Sequence, residues 1–259
     1  PEDRKRFKKF LSDYKDALGN LHYVPLVLEA LCWTWKTLWS ISNSQNKTEL
    51  KNLADIYNSV WEGILTSYGK KRHRGSWNKN LESSPDIKFN ALCEFSYEEL
   101  NRKQQSFTGA TAIEYFKRSG GVSNSKKIEE LLNIWAGLSI IRPITITDNF
   151  DVNTFMFRHS SLQEYFAARH WVKLFKLEKK DSHEVELFKH TKYASSHRIM
   201  WLFAIGLLTK SKQHDSFFKL YDAGPLDAIG DQHVNQLILL LRETLDGGTE
   251  LSELQRDAV

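Results

Sequence analysis

At Phe157 the side-chain pattern of this chain changes period, and that change constrains the fold more than any other feature. The stretch Phe155-Met156-Phe157-Arg158-His159-Ser160-Ser161-Leu162-Gln163-Glu164-Tyr165-Phe166-Ala167-Ala168 opens with alternation around Phe155 and Phe157, as at the end of a strand. Ser161 with Glu164, and Ser160 with Gln163, then match the capping box that starts a helix. The chain is therefore expected to pass from strand to helix at His159. An imidazole there lies beside the orphan amides of a helix N-terminus, whose partial positive charge suits a phosphate or another anion. The same spacing suits a half-buried histidine bonded to a neighbouring carbonyl, and spacing alone favours that plainer reading.

A chain of 259 residues is long enough for about two or three small domains or one large one. Its 41% apolar content, with 8 Trp, supports a packed core, while 5 Pro and 13 Gly argue against disorder and against a turn-rich all-β protein. Net charge is only +4, from 36 basic and 32 acidic residues, so the surface is mixed rather than built for a polyanion. Cys32 and Cys93 have no metal-like spacing and fit buried thiols in a reducing compartment, so a cytoplasmic location is expected. No apolar run reaches membrane-spanning length, and the start resembles a charged helix rather than a signal peptide, so no membrane association is expected. A chain that begins at Pro1 rather than Met is expected to be part of a longer protein.

Helical periodicity dominates the rest. Phe7, Phe10, Leu11, Tyr14 and Leu18 mark one helix face, and Pro25 stands in the first turn of a second helix, Val24 to Cys32. A polar break at 40–47 precedes a helix from about Thr48 to Tyr68 with Leu53, Ile56, Tyr57, Val60, Trp61, Ile64 and Leu65 on its apolar face. Residues 69–86 form the clearest linker; its basic run with Trp77 could hold nucleic acid or an acidic partner, though a solvated loop is the commoner case. Helices are expected from Ile87 to Phe95 and on to Gln105, from Thr111 to Lys117, and from Ser125, as the cap, to Ala136. Strands follow at Leu138 to Thr147 and Val152 to Phe157, turning at Asp148-Asn149. Helices followed by a two-stranded ribbon make a winged helix. The helix before the ribbon carries Glu129 and Glu130 and offers phosphates little, so DNA readout is not expected. Beyond the 155–168 stretch everything is helical, and Ile199 to Leu208 is apolar enough to be buried all round.

Tests for chemistry come out negative. His183, His190 and His197 recur every seventh residue, but breaks interrupt the helix and no carboxylate or Cys completes a metal set. His159, Ser160 and Glu164 are the residue types of a hydrolase triad, yet sequence neighbours at a helix start do not converge on one another. No G-x-x-x-x-G-K-[ST] loop occurs, so this stretch alone is expected neither to bind ATP tightly nor to hydrolyse it. No catalytic residue and no metal ligand is assigned.

The string F-x-F-x-H-x-S-x-Q-E-Y-F-A-A at 155–168 resembles the winged-helix segment of NACHT-type signal-transduction NTPases, the family of the NOD-like receptors. Leu162 stands where that pattern usually has Phe, which keeps an apolar position. Val24-Pro25-Leu26-Val27-Leu28-Glu29-Ala30-Leu31-Cys32 is similar to the element that opens the family's first helical domain, and Trp201 to Leu208 resembles its second. The resemblance implies a mainly α fold: a helical domain at 1–80, a winged helix with one β-hairpin at 81–170, and a helical bundle or short solenoid at 171–259. It implies that His159 reaches the phosphate of bound ADP and that Pro25 packs on the adenine. It also implies ADP or ATP as ligand, with Mg supplied by an upstream P-loop domain, and control of homo-oligomer assembly. Sensor or repeat domains could follow. A reading from another class is a helical and winged-helix scaffold that binds protein or nucleic acid without nucleotide.

Overall fold

The computed structural model describes residues 2–13, 52–72, 88–119, 124–177, 183–224 and 231–244. Pro25, Cys32 and the basic stretch 73–80 lie outside the described residues. The described chain is mainly helical with one small antiparallel sheet. Among the described residues no helix is long and apolar enough to cross a membrane. Contacts divide the chain into two compact units, Ile64–Leu174 and the pair of stretches Pro1–Gly63 with Phe175–Val259.

The Ile64–Leu174 unit runs α3 (Phe89–Asn101), β1 (Ser106–Thr108), α4 (Gly109–Arg118), α5 (Ser125–Gly137), β2 (Ile141–Thr145), β3 (Thr154–Phe157) and most of α6 (Ser160–Leu177). The sheet order is β1-β3-β2, so the last strand in sequence is the central one. β3 pairs antiparallel with both neighbours, Phe107 opposite Phe155 on one side and Ile141 opposite Phe157 on the other. Between Pro143 and Thr145 the register of β2 shifts, leaving Ile144 as a bulge. Phe155 and Phe157 are buried while Thr154 and Met156 are half-buried, as period-2 alternation demands.

Phe95 is the hub of this core. Its ring lies 4.8 Å from Phe107, 5.0 Å from Tyr115, 6.1 Å from Trp135 and 6.5 Å from Phe157. Such offset and edge contacts contribute about 0.5–1.5 kcal/mol each beyond burial. One helix, α3, replaces the two expected segments and ends at Arg102; Lys103 then turns left-handed, and its amide and that of Gln104 bond back to the carbonyls of Leu100 and Glu99. Gln104 and Gln105 therefore belong to a loop, not to the helix. β1 has no counterpart in the sequence reading, because three residues are too few to show alternation. The cap of α5 is Asn124, whose Oδ1 accepts from the Lys126 amide at 2.9 Å, and not Ser125. The turn between β2 and β3 is closed by buried Asn153, whose Oδ1 accepts from the Thr147 amide at 2.6 Å and its hydroxyl at 2.9 Å.

In the other unit, α1 (Glu2–Asp13), the start of α2 (Leu53–Arg72), α7 (His183–Thr191), α8 (Arg198–Lys210), α9 (His214–Asp222) and α10 (Asp231–Thr244) are all helical. Helix α2 continues to Arg72 and so occupies the first residues of the expected linker, where lysine and arginine are good helix formers. Of α8, Met200 to Gly206 and Leu208 are buried, as its all-round apolar sequence implies. Trp201 sits edge-on to Phe188 at 4.7 Å and donates its Nε1–H to the Thr191 carbonyl at 3.3 Å.

Lys192 is 0% exposed and ends α7 as a clamp. Its Nζ donates to the carbonyls of Tyr221 (2.7 Å) and Ala223 (2.9 Å) at the end of α9, where a cation complements the dipole. Its own carbonyl accepts from Gln236 Nε2 of α10 at 2.6 Å. Lys192→Met keeps the apolar stem and removes the donor from two carbonyls. The expected loss is about 2 kcal/mol, seen as a lower urea midpoint; an unchanged midpoint would remove Lys192 from the structural frame.

Candidate functional site

The candidate site is the junction where β3 becomes α6. Because β3 is central, its exit is held from both sides. The Phe157 amide donates to the Gln105 carbonyl at 3.0 Å, and the Arg158 amide donates to the Ile140 carbonyl at 2.8 Å. The next residue, His159, stands immediately before α6. Its carbonyl accepts from the Leu162 amide at 3.1 Å and from the Gln163 amide at 3.4 Å, which makes it the N-cap position. Ser160 and Ser161 are the first helical residues, and by helix geometry their amides have no intrahelical acceptor.

With His159 as the cap, the third helical position is Leu162, so neither capping box forms. Gln163 is used otherwise: its side chain is buried and donates Nε2 to the Gln104 carbonyl at 2.8 Å. That bond ties the first turn of α6 to the loop that also receives the Phe157 amide. Leu162 is buried, as expected of an apolar packing position. Tyr165, Phe166, Ala167 and Ala168 are fully buried, and Phe166 meets Phe89 of α3 at 5.9 Å. Arg169 lies 4.6 Å over the same Phe89 ring and donates to the Tyr165 hydroxyl at 3.2 Å.

His159 is half-buried. Glu164, half-buried one residue beyond Gln163, has its carboxyl pushed up to about 7 by burial. A carboxyl of that kind carries only part of its charge at neutral pH, so it repels an anion at the helix start less than an ordinary glutamate does. His170, further along α6, is pushed down to about 4 by burial, with Lys173 adding to the effect, and its imidazole stays neutral beside the Tyr97 ring. Sequence reasoning did not single out His170 or the titration of Glu164. Their one sequence signal is position: Glu164, Ala168 and Trp171 share a helical face, and a glutamate among such neighbours is desolvated.

The junction therefore holds helix-start amides, a half-buried His159 and, one turn on, a Glu164 carboxyl that burial pushes up. Pro25, the other residue that the resemblance assigns to nucleotide, lies outside the described residues. Of the seven-spaced histidines, His190 is exposed, whereas His197 is buried and stacks on Trp201 at 6.2 Å. Among the described residues no group of three or more His, Cys, Asp or Glu is arranged to hold a metal ion. No protein-family model matches the chain, and no curated protein compared with it matches in sequence.

Proposed function

We propose that this chain is the nucleotide-sensing regulatory part of a NACHT-like signal-transduction NTPase. The observation that carries the reading is the position of His159, fixed at the N-cap of α6 by hydrogen bonds on both sides of the strand before it. The succession helix, strand, helix, helix, strand, strand from Phe89 to Phe157 supports a winged helix, the element in which the resemblance puts this histidine. In the intact protein, an upstream P-loop domain supplies the nucleotide with its Mg, His159 donates to a phosphate oxygen, and Pro25 lies on the adenine. A nucleotide of this kind holds the closed arrangement only by its differential affinity for it, and its exchange frees the protein to assemble into oligomers.

The coding sequence ahead of Pro1 gives the first test, since a P-loop is expected within about one or two domain lengths upstream. His159→Ala in the intact protein gives the second. Loss of one charge-assisted hydrogen bond, about 1.5–3 kcal/mol, should weaken ADP retention roughly 10- to 100-fold and favour oligomers. A variant that keeps its ADP and stays monomeric would overturn the role of His159. One observation favours the scaffold reading instead: Ile144, Ile146 and Val152 on the hairpin are 54%, 63% and 54% exposed. A protein whose oligomerisation responds to Ile146→Asp, and not to His159→Ala or to nucleotide, would be such a scaffold.

A further inference from the structure

The start of α2 and the end of α10 meet in a cluster that the nucleotide reading does not use. Asn52 caps α2, its Oδ1 accepting from the Asp55 amide at 3.0 Å, while its Nδ2 donates to the Gly206 carbonyl of α8 at 3.3 Å. Glu243, in the last turn of α10, accepts the Leu53 amide on Oε2 at 2.7 Å. Asp55, whose side chain is 4% exposed, pairs with Lys210 of α8, which is 46% exposed. Gly206 keeps this seam tight: a Cβ there would lie 3.1 Å from both Ala54 Cβ and the Asn52 side chain. Among the described residues, the charged group acting on Glu243 is Asp55 from α2, which in turn pairs with Lys210 from α8.

Asp55 places a like charge beside the shielded Glu243, and the Lys210 that pairs with Asp55 reaches solvent, so a charge on Glu243 is disfavoured. We propose that this seam is a proton-linked latch, in which α10 is seated on the start of α2 with a proton on Glu243 and is loosened when that proton leaves to solvent. The proposal does not rest on the nucleotide reading. Burial, with Asp55 adding to it and the Leu53 amide opposing, pushes the Glu243 carboxyl up to about 7. A seated carboxyl therefore holds its proton to higher pH than a solvated one. Seating is fully favoured below the pH at which a solvated carboxyl ionises, weakens from there up to the seated midpoint, and is level above it.

The test is an amide titration of the chain by nuclear magnetic resonance, with hydrogen exchange corrected for intrinsic rates. The Leu53 amide resonance should move once between pH 5 and 9, near neutrality, and the protection of α10 amides should fall by up to about tenfold per pH unit as pH rises towards that midpoint and level off above it. In Glu243→Gln both changes should vanish. In Asp55→Asn, which removes the like charge and keeps the shape, the Leu53 midpoint should move to lower pH, and this arm stands even where Glu243→Gln folds poorly. A Leu53 resonance that does not titrate, or α10 protection that falls equally in Glu243→Gln, overturns the latch. Titration of Glu164 cannot mimic the result, since it leaves the Leu53 response to Glu243→Gln and Asp55→Asn unchanged.

Discussion

Replacing Phe95 with alanine is expected to remove about 3–5 kcal/mol from the stability of the Ile64–Leu174 unit. The residue is fully buried, and its ring touches side chains of β1, α4, α5 and β3 at once. Five of its neighbours are themselves aromatic: Phe107, Tyr115, Phe116, Trp135 and Phe157. Flat rigid rings close poorly over a void, so the cavity term should stay near its upper range and the lost ring contacts add to it. Phe95→Leu, which restores much of the volume, should recover most of the loss. Urea unfolding followed by tryptophan fluorescence reads both, with Trp135 in contact with the mutated site. A Phe95→Ala protein within about 1 kcal/mol of the wild type would show that the unit is not built around this ring.

Gly109→Ala should act in the opposite sense to the usual helix rule. Alanine in place of glycine inside a helix normally adds about 1 kcal/mol of stability. Here a Cβ would lie 2.0 Å from the Phe150 carbonyl oxygen and 2.9 Å from its carbon. Those atoms are backbone and cannot rotate aside. The first turn of α4 must then separate from the 3₁₀ turn Phe150–Val152, and the Gly109 amide must give up its 2.8 Å bond to the Asn153 carbonyl. The combined overpacking and lost bond should destabilise by about 3 kcal/mol. Because Asn153 also closes the β2–β3 turn onto Thr147, the Thr147 amide should lose hydrogen-exchange protection in the same variant. A neutral or stabilising result would mean that α4 and the turn can part at no cost.

The central motif was the most legible part of the chain because two periods meet there within a few residues. Alternation at Phe155 and Phe157 and the apolar face from Leu162 to Trp171 are both strong local signals, and the structure puts strand and helix on either side of His159. The details that failed are those set by partners distant in sequence. Gln163 reads as a cap from its neighbours, but its amide is claimed by the Gln104 carbonyl. Ser106-Phe107-Thr108 is a strand only because Phe155 lies opposite Phe107. Glu164 looks like a surface capping residue, and only tertiary burial turns its carboxyl into a group that titrates near neutrality. The cap of α5 slipped by one residue, since Asn124 and Ser125 are both good caps and sequence alone does not rank them.

The position of β3 in the sheet has a consequence for the order in which the molecule is made. The two outer strands, β1 and β2, pair with β3 and not with each other. During synthesis both therefore emerge without an acceptor row, and the sheet exists only once Thr154–Phe157 has followed. Closing β1 onto β3 spans α4, α5 and the whole hairpin, a long-range contact of the kind that slows folding. The residue that next leaves the strand is His159. The candidate site is thus assembled by the same event that completes the sheet, and an unfinished or misfolded unit lacks the N-cap on which the proposed phosphate contact depends.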